Sequence, residues 1–462
     1  MPDALWTADE IAQAVGGQVA GDFAATGVSI DTRSVEHGDL FVPLVGARDG
    51  HDFVAQAVAN GAAGVLAAKA VEAPAVMVAD TFKALEALGV AARERAPQCR
   101  RGAVTGSVGK TSVTRAIEAG LRLAGKAHAS VKSYNNHIGV PLTLARMPRD
   151  TERAVFEVGM NHEGEIVPLS GFIQPHAVAI TTVGPVHIEN FPDGEAGVAR
   201  AKAEIFAGLR PGGVTVLNAD NRWFDYLKGE AEKAGASVWS FGEAAGATAR
   251  LTGFQVEGAG ATVSVELRGE TFSFPIRQTG VHWGPNSLCV LLMLEALGVS
   301  RDTALAALAA FAPIEGRGAE KTIRIPGGAF TLVDESYNAN PVSMQAALKT
   351  LGARKVAGRR VVALTDMLEL GEDSERFHAE LADPIAAANI DVVFLAGVHM
   401  KSLWEALPPT RRGGYAEVTE KLTSVLAGAI QPGDVVMVKG SNGSRAGALA
   451  VALSALDLGE QG

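Results

Sequence analysis

The segment Thr105-Gly106-Ser107-Val108-Gly109-Lys110-Thr111-Ser112 constrains this chain more than any other. It follows a short apolar run, Ala103-Val104, and opens a helical pattern, so it reads as a strand–loop–helix turn. Glycines let the backbone curl so that N–H groups converge on phosphate oxygens, and the helix N-terminus adds partial positive charge. Lys110 can neutralise β/γ-phosphate charge, and Thr111 can offer a hydroxyl to Mg²⁺. A full P-loop carries another glycine five residues before Gly109; that position is Val104, so the loop is a shortened variant.

A loop of this kind belongs in a parallel sheet, and the surrounding pattern agrees. Strand-like runs at Ala154–Val158, Ala177–Thr182 and Val214–Leu217 alternate with helical ones such as Gly197–Leu209. Residues Ala249–Gln278 alternate apolar and polar in short runs split by glycines, which predicts antiparallel hairpins attached to that sheet. Beyond Ile314, strands at Phe330–Val333, Arg360–Leu364, Val392–Leu395 and Val435–Val438 alternate with helices near Met344–Leu351, Ser374–Ala388, Thr419–Ala429 and Ala446–Leu456. This predicts a doubly wound unit, with Pro384 kinking or ending its second helix. Nearer the N-terminus, Thr7 and Glu10 make a capping box for a helix over Ala8–Val15. A strand over Leu40–Val45 contains Pro43, which suggests a sheet edge, and precedes a loop, Gly46–His51, and a helix near Phe53–Asn60.

Length and composition bound the rest. At a prior of roughly 150 residues per domain, 462 residues give about three domains. An apolar fraction of 47% against 20% charged argues against disorder. The net charge of −10 repels phosphate backbones, so no nucleic-acid partner is expected. No secretory start and no apolar run of about 18 residues occur, so no membrane insertion is expected. Two cysteines, Cys99 and Cys289, make no disulfide framework, which fits a reducing, cytoplasmic setting. A monomer is expected.

Glu157 ends an apolar strand, where a carboxylate points into the ligand crevice and can hold a phosphate-bound Mg²⁺. His187 and Lys202 carry no such signal: alone they read as a loop histidine and a solvated helix lysine.

Taken together, Thr105–Thr111, Asn135-Asn136-His-Ile-Gly-Val-Pro141, Glu157, Gly184-Pro-Val-His187 and Lys202-Ala-Glu-Ile-Phe206 resemble the Mur ligase family, which builds the peptide of bacterial peptidoglycan. Asp334-Glu-Ser-Tyr337-Asn338-Ala-Asn340-Pro341 and Asp366-Met-Leu-Glu369-Leu-Gly371 resemble the branch that adds a dipeptide. The resemblance implies an α/β chain of three domains: residues 1–100 for the UDP-sugar substrate, 101–313 a central P-loop ATPase sheet with an antiparallel extension, and 314–462 a C-terminal Rossmann-like domain. It implies ATP and Mg²⁺ as cofactors, and UDP-N-acetylmuramoyl-tripeptide and D-alanyl-D-alanine as substrates. It also implies Lys110, His187 and Lys202 as the catalytic residues, a first Mg²⁺ held by Thr111 and Glu157, and a second held by His187 and a carbamylated Lys202. Thr105 to Ser112, Asn286, Arg317 and Asp334 would serve ATP; Ser29, Asp31, Arg33, Asn135, Asn136, Tyr337, Asn338 and Asn340 would serve the other substrates. One departure stands out: many relatives carry Asn directly after the histidine, where this chain has Trp283 after His282. A sibling ligase that adds a single amino acid and a P-loop ATPase that forms no bond remain as rivals. An NAD-binding protein is disfavoured by the lack of a glycine fingerprint after the first strand of the third block.

Overall fold

The computed structural model describes residues 4–131, 133–186, 188–258 and 260–459. They form three main sheets, each packed against helices. Near the N-terminus the helix Ala8–Val15 forms as its capping box predicts: Glu10 N–H donates to Thr7 Oγ1 at 3.3 Å and Thr7 N–H to Glu10 Oε2 at 3.1 Å. The first sheet runs Gln18–Ala20, Ala75–Met77, Gly64–Ala67, Asp39–Phe41, Gly27–Ser29, all parallel except the first strand. The strand carrying Asp39–Phe41 is an inner one and stops before Pro43, which corrects the edge position suggested by that proline. Pro43 instead offers its carbonyl to Thr81 Oγ1 at 2.6 Å, outside the ladder where its missing N–H costs nothing.

The second sheet has nine strands, in the order Glu270–Ile276, Gly260–Leu267, Ala249–Glu257, Ser237–Gly242, Val214–Asn218, Ala177–Ile180, Arg100–Thr105, Arg153–Glu157, Ala127–Ala129. Ala249–Glu257 pairs parallel with Ser237–Gly242 and antiparallel with Gly260–Leu267, so the expected hairpins continue the parallel sheet. The inner parallel strands are covered and apolar on both faces, whereas Gly260–Leu267 in the antiparallel extension buries alternate residues only. Val104, Val155 and Ala179 face the helices Lys110–Ala124 and Trp283–Ala296; Ala103, Phe156 and Val178 face Ile166–Ile173 and Glu195–Ala203.

The third sheet runs Ala319–Ile325, Gly328–Glu335, Val435–Lys439, Arg360–Thr365, Val392–Ala396, Arg412–Ala416, parallel except for its first strand. The chain steps from Gly328–Glu335 past the place of Val435–Lys439 to Arg360–Thr365, which opens a crevice at the carboxyl ends of these strands. The helix expected over Ser374–Ala388 is two, Ser374–Ala379 and Ala382–Ala387. Pro384 is not at the break; it lies in the first turn of the second helix, where no N–H is needed.

Leu142 and Ala145, from the helix Gly139–Ala145, share an apolar cluster with Trp6, Leu85 and Leu88 and so join the first unit to the second. Trp6 Nε1 donates to Ala145 O at 2.8 Å across this seam. On the other side, Glu320 accepts from Thr279 Oγ1 at 2.6 Å and from the Arg354 fork at 2.7 and 2.8 Å. Among the described residues no helix is long and apolar enough to cross a membrane. Leu142 is fully buried, so Leu142→Ala should lower unfolding stability by about 2–5 kcal/mol in a denaturant titration.

Candidate active site

The phosphate loop is moulded from outside. Gly106 takes φ +147°, and a Cβ there would lie 1.9 Å from Thr181 Oγ1, so only glycine fits. Thr181, just past the strand Ala177–Ile180, donates its hydroxyl to Val108 O at 2.5 Å. Ser107 N–H donates to Thr182 O at 2.8 Å, Ser107 Oγ to Gly184 O at 3.1 Å, and Gly184 N–H back to Ser107 Oγ at 3.0 Å. Gly109, at φ +86°, starts the helix Lys110–Ala124 with no side-chain cap, which leaves the helix N-terminus open to an anion. Thr105 is buried behind the loop and lines neither of the two cavities beside it; its carbonyl accepts from Thr181 N–H at 3.0 Å.

Two cavities flank the loop. One, of about 260 Å³, is lined by Lys110, Thr111, Ser133, Asn135, Glu157 and Arg317 among others. Glu157 is 2% exposed and accepts from Asn135 Nδ2 at 2.7 Å. Arg317 donates to Thr111 Oγ1 at 3.2 Å and stacks its guanidinium 4.1 Å from the Tyr337 ring centroid. Tyr337 OH in turn lies 3.1 Å from Ser133 Oγ. Lys110 Nζ donates to Gly106 O at 2.6 Å, and burial pushes its ammonium below the usual lysine range, against the pull of Glu157. Asn136 lies outside this cavity: its Oδ1 accepts from Ile138 and Gly139 N–H and starts the helix Gly139–Ala145.

The Thr111 hydroxyl and the Glu157 carboxylate in one cavity are hard oxygen donors of the kind Mg²⁺ takes. Lys202, on the helix Glu195–Ala203, is 3% exposed and has no hydrogen-bond or ion-pair partner among the described residues. Burial, then the nearby charge of Lys110, drives its amine well below the ordinary lysine pKa. Burial of an unpaired lysine favours the uncharged amine, the form that carbamylation requires. No group of three His, Cys, Asp or Glu that could hold a metal occurs among the described residues. His187 lies outside them.

The second cavity, of about 240 Å³, reaches Gly109, Ser112, Asn286, Glu335, Asn340 and Lys439. Asp334 is not part of its wall. Its carboxylate ties down two turns, accepting from Ser336 N–H and Oγ at 3.1 and 2.6 Å and from Gly316 N–H at 3.1 Å. The next residue, Glu335, takes the position in the wall expected for Asp334 and pairs with Lys439 Nζ at 3.3 Å. Trp283 is 3% exposed and packs 5.7 Å from Phe311 in the core, away from this cavity. Asn338 borders both cavities, and its carbonyl accepts from Lys439 at 3.0 Å.

Ser29, Asp31 and Arg33 line neither cavity. They follow the strand Gly27–Ser29, where Ser29 is buried and the exposed Arg33 forks onto Asp31 at 2.9 and 2.6 Å. In the neighbouring loop, Asp49 accepts from Lys69 and from His51 Nδ1, and His51 Nε2 accepts from Ala68 N–H at 3.0 Å, which fixes the ring's tautomer.

Comparison with known proteins gives the family. Residues 24–104 match the catalytic domain of the Mur ligase family, 104–294 the Mur ligase middle domain, and 322–442 the Mur ligase glutamate ligase domain. A UDP-N-acetylmuramoyl-tripeptide–D-alanyl-D-alanine ligase from Escherichia coli is 33% identical over 441 residues, 94% of this chain and 95% of that protein. The corresponding ligase from Rickettsia prowazekii is 31% identical over 444 residues, 95% and 97% of the two chains. The chain belongs to the Mur ligase family. A crystal structure of MurF from Acinetobacter baumannii superposes with a TM-score of 0.85 at 28% identity, covering 97% of this chain and 99% of that one.

Within this Mur ligase, the polar residues Thr181, Thr182, Ser133, Glu335 and Lys439 also line the two cavities, and the sequence reading does not single them out. Three of them, Thr181, Glu335 and Lys439, stand at or just beyond the carboxyl ends of parallel strands, the one signal that could have found them. Gly106→Ala should abolish ADP formation while leaving the thermal midpoint within a few degrees, because its methyl group displaces Thr181 from the loop; nucleotide turnover and melting curves check this.

Proposed function

We propose that this chain is an ATP-dependent amide ligase that joins D-alanyl-D-alanine to UDP-N-acetylmuramoyl-tripeptide through an acyl phosphate, giving the pentapeptide precursor of peptidoglycan. The observation that carries this reading is the near full-length match to ligases of that name, in a chain whose two cavities meet at Arg317 beside the phosphate loop. A carboxylate is a poor electrophile, so the tripeptide's terminal acid takes the γ-phosphoryl of ATP and ADP forms. The dipeptide amine, with a pKa of roughly 8, is partly neutral near neutral pH and attacks the acyl carbon. The carbon–nitrogen bond forms as the carbon–oxygen bond to phosphate breaks, and inorganic phosphate leaves.

In this reading the loop from Gly106 to Ser112 and the Lys110 ammonium hold the polyphosphate, with Thr105 supporting the loop from behind. Thr111 and Glu157 would hold the first Mg²⁺, and His187 with a carbamylated Lys202 would hold the second. Bound Mg²⁺ offsets charge on the transferring phosphoryl group. Arg317 bridges the two cavities, Asn286 and Glu335 face the nucleoside, and Asp334 sets the turns that carry Arg317 and Glu335. Asn135, Tyr337 and Asn338 lie beside the reacting carboxylate. Asn136 shapes that wall through its turn, and Ser29, Asp31 and Arg33 belong to the uridine-nucleotide region. We assign the three domains to residues 1–100, 101–313 and 314–462, and place the enzyme in the cytoplasm as a monomer.

Incubation with ATP, Mg²⁺, the UDP-tripeptide and D-alanyl-D-alanine should yield the pentapeptide by mass, with ADP release that depends on both substrates. ADP release without substrate dependence or amide product contradicts the reading. Lys110→Ala should lower ADP formation at least about 10²-fold, and activity within a few-fold of wild type rejects its role. With ¹³C-bicarbonate, a carbamate resonance should appear in the wild type and be absent from Lys202→Ala.

A further inference from the structure

The carboxamide of Asn340 is held in one orientation. Its Oδ1 accepts from Ser343 N–H at 2.9 Å and its own N–H donates to Ser343 Oγ at 3.0 Å, a reciprocal cap on the helix Pro341–Ala353. Because the oxygen must face the helix, Nδ2 faces away from it. Asn340 is only 3% exposed, and Nδ2 is buried without any hydrogen-bond partner. A buried donor in that state costs free energy until something accepts from it. The residue lines the cavity of about 240 Å³ that also reaches Gly109 of the phosphate loop.

The character of that corner identifies the acceptor. Val342 and Ser343, in the first turn of the capped 13-residue helix, line the same cavity, so the partial positive charge of the helix N-terminus falls on it. Arg317 and Lys439 line it too, the latter paired with Glu335. Val342 also packs against Gly184, where an added Cβ would lie 2.9 Å from Val342 Cγ2, and Gly184 is bonded to Ser107 of the phosphate loop. Donors and positive charge meeting beside the loop suit an anionic oxygen better than a base edge or a hydroxyl.

We propose that Asn340 Nδ2 donates to a phosphate oxygen of the bound nucleotide, which makes Asn340 a nucleotide-binding residue rather than a contact of the tripeptide or the dipeptide. The proposal rests on the ligase reading only in taking ATP as the nucleotide.

Two substitutions keep the helix cap while removing the donor: Asn340→Asp, which also adds charge, and Asn340→Ser, which does not. Titration calorimetry with Mg²⁺-ADP and a non-hydrolysable ATP analogue should show binding weakened more than 10-fold in Asn340→Asp and about 3- to 10-fold in Asn340→Ser. Thermal midpoints and the KM for D-alanyl-D-alanine should stay at wild-type values. A 2′-deoxy nucleotide should bind wild type and both variants with the same ratio to its ribo counterpart. Unchanged nucleotide affinity in Asn340→Ser overturns the proposal, even if Asn340→Asp binds less tightly. So does a loss confined to the KM of the dipeptide, or a 2′-deoxy discrimination present in wild type and absent from Asn340→Ser. Failure of the wild type to form pentapeptide would strike the ligase reading and leave these titrations interpretable.

Discussion

The backbone of Gly106 lies against the side chain of Thr181, at a distance no other residue type could tolerate, and the site is built outward from that contact. Two neighbouring parallel strands, Arg100–Thr105 and Ala177–Ile180, bring the residues together at their carboxyl ends. The loop after the first then curls around the hydroxyl of Thr181 and the amides of the segment that follows it. This explains how a phosphate loop lacking one of the usual glycines keeps its shape, since part of the curvature comes from the neighbouring strand end. The open start of the helix Lys110–Ala124 is then aimed at whatever occupies the crevice.

Charge around this contact is lopsided. Lys110 and Lys202 both have ammonium groups disfavoured by burial, and Arg317 is lowered by burial too. Against them stands the buried carboxylate of Glu157, itself tied to Asn135. A polyphosphate supplies the missing negative charge, and conversion of Lys202 from a potential cation to an anionic carbamate would shift the balance further and create an oxygen ligand for a hard metal. Arg317 comes from the far side of the cleft and touches Thr111, so the third sheet closes the site that the second one opens.

Much of this was readable before any coordinates. The helices Ala8–Val15 and Thr419–Ala429 end where their patterns end, and the glycine-split hairpins fall in line with the central sheet. The strand Arg412–Ala416, with Gly413 and Gly414 inside it, escaped notice because it offers no apolar run, and only its pairing with Val392–Ala396 defines it. Pro43 and Pro384 mislead a sequence reading because each sits where its lost N–H is harmless. Within the site, motif spacing located Lys110, Thr111 and Glu157, whose chemistry is local to one strand or loop. Glu335 and Lys439 come from strands about a hundred residues apart and meet only because Val435–Lys439 is laid beside Gly328–Glu335. No local pattern encodes that adjacency, and the same limit put Asp334 where its neighbour stands.

The central claim is that a phosphoryl group passes to the tripeptide's own carboxylate before the amide forms. Its most direct test uses tripeptide substrate with both oxygens of the terminal carboxylate replaced by ¹⁸O, and mass analysis of the phosphate released during ligation. One ¹⁸O per phosphate is the expected result, since the acyl carbon–oxygen bond breaks with the label on the phosphate side. Phosphate free of label, with pentapeptide still formed, would contradict the account.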